Sequence, residues 1–146
     1  MRRRWSLVCL VLGSAGMAAS GAIHLQLWAT AYREAAVIGP LFLLDAVFSW
    51  LIALVLLASR HPLAAAAGIL MELGAIAGLA LATTTALFGF HESGAGVGGQ
   101  IAAAYGTESL AAVMLVASLA LRRTRPREML RWSVSARAVD PNKPGR

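Results

Sequence analysis

The feature that most constrains this chain is the run of four long apolar blocks, about 5–28, 35–59, 62–90 and 101–121, each with at most one or two charged residues. A helix needs about 20 mostly apolar residues, rising roughly 1.5 Å each, to cross the hydrocarbon core of a bilayer. All four blocks meet that length. The first carries no Asp, Glu, Lys or Arg, and the others hold Asp45, Glu72 and Glu108 in their interiors. The fold expected is therefore all-α, a transmembrane four-helix antiparallel bundle over residues 1–121. A soluble enzyme is excluded by composition: 58% of the 146 residues are hydrophobic and 14% charged, against about 45–50% and 25% in soluble domains.

Punctuation between the blocks agrees with this division. Pro62 suits the first turn of a helix, where its missing N–H costs nothing. Residues 93–99 are small and read as a turn before the fourth helix. After Leu121 the chain becomes polar and basic to its end at Arg146. Residues 122–146 read as a disordered basic tail outside the bilayer.

Positive charge is retained on the cytoplasmic side of membrane helices. Arg33 alone of the 13 Lys and Arg residues falls on the side opposite the termini. The expected topology is a multi-pass protein of the cytoplasmic membrane, an inner membrane in a two-membrane cell, with both termini in the cytoplasm. The tail is read as a patch for anionic lipid, worth about 1 kcal/mol per basic residue near the surface. Nucleic-acid binding is disfavoured, because the tail has one aromatic, Trp132, and no reader motif. Arg2 to Arg4 followed by an apolar run and Ala18-Ala19-Ser20 imitates a signal peptide. The continuation into Ile23, Leu25, Leu27 and Trp28 favours retention as a helix instead. Cys9, lone and inside a helix, is most simply a small apolar residue.

Ionisable groups at membrane depth cost roughly 2.5–3.5 kcal/mol each, so each needs a partner, a proton or water. Asp45 and Glu108 are placed about 8–10 Å below the outer ends of their helices. His24, His91 and Glu92 lie near outer helix ends, so these five residues with Arg33 form the expected outer polar cluster. Three readings of it stand. The favoured one is a structural clasp in which Arg33, helped by Tyr32 and Tyr105, satisfies the acids. The second is a proton or ion relay through the carboxyls and histidines. The third is a metal site, since histidine and carboxylate suit zinc and other divalent ions, although no short ligand spacing supports it. A haem between His24 and His91 is disfavoured because both lie on one side, and no cofactor is expected. Glu72 lies about 15 Å along the third helix from Pro62, out of easy reach of the cluster. It is expected to face the interior and keep its proton, with Ser49 and Ser118 at similar depth as hydrogen-bond donors.

Two glycine patterns need separate treatment. Gly94-x-Gly96-x-x-Gly99 fits a dinucleotide fingerprint literally, but that pattern has meaning only between a strand and a helix. Gly74-x-x-x-Gly78 is read as a close helix-packing face, with Gly13, Gly16 and Gly21 doing likewise on the first helix. The partner of Gly74 and Gly78 is more simply in the same chain; a homo-oligomer or a larger membrane complex stays open. A weak symmetry, histidine then acid, relates His24 and Asp45 to His91 and Glu108.

Several stretches together carry a resemblance: Ala22-Ile23-His24-Leu25-x-Leu27-Trp28, Tyr32-Arg33, Ile38-Gly39-Pro40-Leu41-Phe42-Leu43-Leu44 and Leu87-Phe88-Gly89-Phe90-x-Glu92. Over about 21–121 the chain resembles a family of small four-helix integral membrane proteins of high-GC bacteria to which no activity is assigned. The resemblance implies the same fold and topology and transfers no catalytic residue. Where that family ends its third helix with Phe-Arg-Glu, this chain has Phe90-His91-Glu92, which would make any ion pair there dependent on pH. The expected role is an integral membrane protein without enzymatic activity. Its alternatives are a small proton, ion or metal transporter or channel subunit, or an accessory subunit of a larger complex.

Overall fold

The computed structural model describes residues 1–85 and 98–123. Its elements are α1 (Arg2–Leu27), a π-helical turn (Trp28–Tyr32), α2 (Ile38–Ser59), α3 (Pro62–Thr84) and α4 (Gly98–Arg123). No strand occurs among the described residues, and the fold is an all-α four-helix bundle. The four helices are 22 to 26 residues long, and all are long and apolar enough to cross a membrane. Only 17% of the most apolar window of α3 is buried within the protein. Its outward face carries exposed Leu63, Leu70, Leu73 and Leu81, a surface that water would penalise and lipid accepts. The chain is thus a multi-pass membrane protein.

The helix ends follow local chemistry. Backbone N–H of Leu63 donates to His61 Nδ1 at 3.2 Å, and Pro62 follows that cap at the first helical position. The sequence reading carried the third helix to residue 90, but α3 stops at Thr84 and residue 85 caps it. Thr83, Thr84 and Thr85 each turn their hydroxyl back onto a carbonyl of the preceding turn, and three β-branched residues in succession weaken a helix. At its other end α4 starts at Gly98, inside the stretch expected to be a turn. Arg60, which ends α2, has φ 54°, a left-handed conformation unfavourable for a side chain with a Cβ. Its carbonyl accepts a hydrogen bond from the Arg122 guanidinium, which holds it there. The glycine motif at 94–96, His91, Glu92 and the tail from 124 onward lie outside the described residues.

Small residues on α1 let it lie between α2 and α4. A Cβ at Gly16 would stand 3.0 Å from Ala111 Cβ, and one at Gly21 would stand 3.0 Å from the Ala46 carbonyl oxygen. Trp50 Nε1 donates to the Ala18 carbonyl at 2.9 Å. Near the termini Ser6 Oγ donates to the Ser118 carbonyl at 3.1 Å while Ser118 Oγ donates to that of Ser6 at 3.0 Å. Gly13 meets Leu115 and Gly16 meets Ala111, so α1 and α4 run in opposite directions. Gly68 of α3 closes the bundle against Met17 and Leu115.

The sequence assigned close packing to Gly74 and Gly78 as well. A Cβ at Gly74 would meet nothing within 4 Å among the described residues, and both glycines instead line a cavity. Spacing alone does not say which small residues face a neighbour.

The interior is layered. Leu10, Met17, Ala53, Leu56, Ala65, Ala111 and Leu115 form an apolar cluster in the half nearer the termini. Leu27, Tyr32 and Ile38, with Phe42 against them, form another at the opposite end. Between these two clusters lie His24 on α1 and Asp45 on α2, and α3 and α4 each bury one acid, Glu72 and Glu108.

Candidate functional site

His24 sits three residues before the end of α1 and is held on one edge by its own helix. Its Nδ1 lies 3.0 Å from the Ser20 carbonyl oxygen, one turn earlier, and 3.4 Å from Ser20 Oγ. A carbonyl can only accept, so the proton belongs on Nδ1 and the neutral ring presents its lone pair at Nε2. Phe42 of α2 packs tilted against the ring, centroids 5.1 Å apart, and Tyr32 packs on Phe42 at 4.9 Å.

Two acids flank this ring. Asp45 Oδ2 is 3.2 Å from Nδ1, and Glu108 Oε1 is 3.6 Å from Nε2. One helix supplies each member: α1 the imidazole, α2 and α4 the carboxyls. Glu108 is fully buried, and Glu72 on α3 is 1% exposed. Glu72 makes no hydrogen bond or ion pair with His24, Asp45 or Glu108 among the described residues, so it stands as a separate buried acid on α3.

These acids are poorly satisfied. Asp45 Oδ2 and both carboxyl oxygens of Glu72 and of Glu108 are buried without a hydrogen-bond partner among the described residues. The donors expected for Glu72 are not used for it. Ser118 exchanges hydrogen bonds with Ser6 at the termini end, and Ser49 Oγ has no partner.

Arg33, expected to clasp the acids, points elsewhere. It is exposed, and its guanidinium carbon lies 5.7 Å from the centroid of the Trp28 ring. Among the described residues it makes no ion pair with Asp45 or Glu108. Arg33 directly follows the π turn, and its guanidinium stacks on the Trp28 ring. Within the described residues, then, the structure brings together His24, Asp45 and Glu108, with Glu72 buried apart from them. It leaves Arg33 outside. Ser20 and Phe42 position the imidazole and were not singled out in sequence; the Ser20-to-His24 spacing of one helical turn was the available signal.

A cavity of about 290 Å³ adjoins the cluster. Its walls come mainly from α2 and α3, with Gly74, Gly78 and Leu79 on one side and Leu41 and Phe42 on the other, and His24 and Asp45 contribute polar groups to it. Toward the termini the interior is closed by Leu10, Met17, Leu56 and Leu115, each no more than 2% exposed. Among the described residues no three of His, Cys, Asp and Glu stand where they could hold one metal ion together.

No protein-family model matches the chain, and no match was found among curated proteins or among solved structures. The functional reading therefore rests on these side chains alone.

Proposed function

We propose that this chain is a protein of the plasma membrane, both termini in the cytoplasm, whose His24–Asp45–Glu108 cluster is a proton-exchange site of a small transporter or transporter subunit. The observation carrying the proposal is the set of buried carboxyl oxygens with no hydrogen-bond partner among the described residues. A clasp built for stability would satisfy its acids, because a buried polar group left unpaired costs about 1–3 kcal/mol and a charged one more.

Charge balance supports the same reading. Two carboxylates against a single imidazole, with Glu72 buried elsewhere on α3, would leave a surplus of negative charge even with the ring protonated, and an uncompensated charge at this depth costs roughly 2.5–3.5 kcal/mol. Protons or a cationic ligand must make up the difference. The geometry favours transfer: with Nδ1–H committed to the Ser20 carbonyl, Nε2 faces Glu108. Breaking the Glu108 O–H bond and forming N–H at Nε2 produces an imidazolium between two carboxylates, and the reverse step returns the proton. The aliphatic layer on the termini side blocks a continuous file, which favours a site loaded from the cavity end over an open channel.

The structural clasp is the second reading, favoured by the ring's fixed seat on Ser20 and Phe42. Proton flux into proteoliposomes separates the two. Under the proposal wild type carries flux that is lost in Asp45→Asn and Glu108→Gln while both variants stay folded. Absence of flux in wild type, with both variants less stable, would return the cluster to a structural role.

A further inference from the structure

We propose that the cavity beside His24 and Asp45 binds a small amphipathic organic cation, an amine or quaternary ammonium with a compact apolar tail, in exchange for a proton. This rests on the proton-exchange reading and names the ligand class of that site.

The cavity is apolar except at one place. Among its lining residues only His24, Tyr32 and Asp45 bear polar side chains, and the rest are aliphatic, aromatic or glycine. A ligand for such a space must have a substantial apolar part. The polar part is acidic: Asp45 lines the cavity, and Glu108, fully buried with neither oxygen bonded, approaches the outer nitrogen of the His24 ring. The ionisable groups lining the cavity are His24 from α1, Tyr32 from the π turn and Asp45 from α2, and Glu108 from α4 stands behind the His24 ring; Glu72 of α3 is buried and is not part of the lining. Arg33, exposed over Trp28, does not offset them.

Other ligand classes fit less well. An anion would meet carboxyls with no guanidinium or ammonium among the described residues to receive it. A bare metal ion would need several oxygen or nitrogen ligands converging on it, and no such group of three exists among the described residues. A neutral hydrocarbon would leave the carboxyls as unsatisfied as before. An organic ammonium supplies the missing charge without demanding close ligands, and Phe42 beside His24 offers an aromatic face for its methyl groups. Apolar cavities of about 150 Å³ take up benzene, so 290 Å³ suits a ligand on the order of a dozen non-hydrogen atoms. Benzyltrimethylammonium is of that size.

The test is calorimetric titration of the full chain in zwitterionic lipid nanodiscs with benzyltrimethylammonium, in two buffers of different ionisation enthalpy. The expected result is saturable binding, release of a proton per ligand bound, and affinity that falls as the pH is lowered. Asp45→Asn should weaken binding at least tenfold. Ala75→Leu, which adds bulk to the cavity wall and leaves every acid in place, should do the same, so the result does not depend on the folding of one variant. The uncharged isostere neopentylbenzene should bind at least tenfold more weakly. No saturable binding by folded wild type, or equal binding of the charged and uncharged probes, would overturn the cation site; proton flux lost in Asp45→Asn and Glu108→Gln would still stand on its own. Binding without proton release would overturn the exchange and with it the proton-coupled reading of the cluster.

Discussion

Replacing Gly16 with alanine and Gly74 with alanine should move stability in opposite directions. At Gly16 the new methyl would lie 3.0 Å from Ala111 Cβ and 3.2 Å from both Ala111 Cα and its backbone nitrogen. Carbon atoms in contact prefer about 3.5–4.0 Å, so α1 and α4 must part by several tenths of an ångström. No rotamer change relieves this, because two of the three neighbours are backbone. The separation would also strain the reciprocal Ser6 and Ser118 hydrogen bonds at 3.0 and 3.1 Å. Overpacking of this kind costs about 1–3 kcal/mol, and the gain from replacing glycine in a helix offsets up to about 1 kcal/mol of it. With the middle of that cost and the full helix gain, a net loss of about 1 kcal/mol follows for Gly16→Ala. At Gly74 the methyl would enter open space, and only the helix gain of about 0.5–1 kcal/mol remains. The assay is reversible unfolding in mixed micelles, read by far-ultraviolet circular dichroism for both variants. If Gly16→Ala proved as stable as Gly74→Ala, the α1–α4 seam would not be the tight contact described.

Arg33→Ala should change stability by no more than about 1 kcal/mol, the worth of an exposed cation–π contact, measured by thermal unfolding in detergent; a loss of several kcal/mol would mean a buried acid depends on it. Ser118→Ala should cost about 1 kcal/mol through the lost hydrogen bond to Ser6, and the serine-free pair Ser6→Ala/Ser118→Ala should cost less than the sum of its singles, which a double-mutant cycle reads directly. Reporter fusions after Arg60 and Arg123 should score as cytoplasmic and those near Glu34 and Gly96 as external, because Arg33 alone of the 13 basic residues lies on the far side. An external score after Arg123 would reverse the assigned orientation.

The helices were legible because the physical signal is long and additive: each block holds some 20 apolar residues with scarcely a charge. Their ends were less so. Thr83 to Thr85 stop α3 through local hydroxyl bonds that hydropathy does not register. Asp45, Glu108 and His24 stood out in sequence since any ionisable group in an apolar run is conspicuous, and the structure places them side by side. Arg33 was chosen as the one basic residue on the outer side, but sharing a side of the membrane does not fix where a guanidinium points, and it stacks on Trp28. The Gly74 and Gly78 spacing was visible, yet only the packed structure tells that they face a cavity while Gly13, Gly16 and Gly68 meet neighbouring helices.

The central claim is that the His24–Asp45–Glu108 cluster exchanges protons. It is tested most directly by pH-difference infrared spectroscopy on wild type, Asp45→Asn, Glu72→Gln and Glu108→Gln in lipid nanodiscs, stepped between about pH 5 and pH 9, the span in which perturbed carboxyls and histidine titrate. The account predicts a carboxyl C=O band that grows in wild type as the pH falls, coupled to imidazole ring bands, and that is lost or shifted in Glu108→Gln and Asp45→Asn. Difference spectra identical in wild type and all three variants would contradict it.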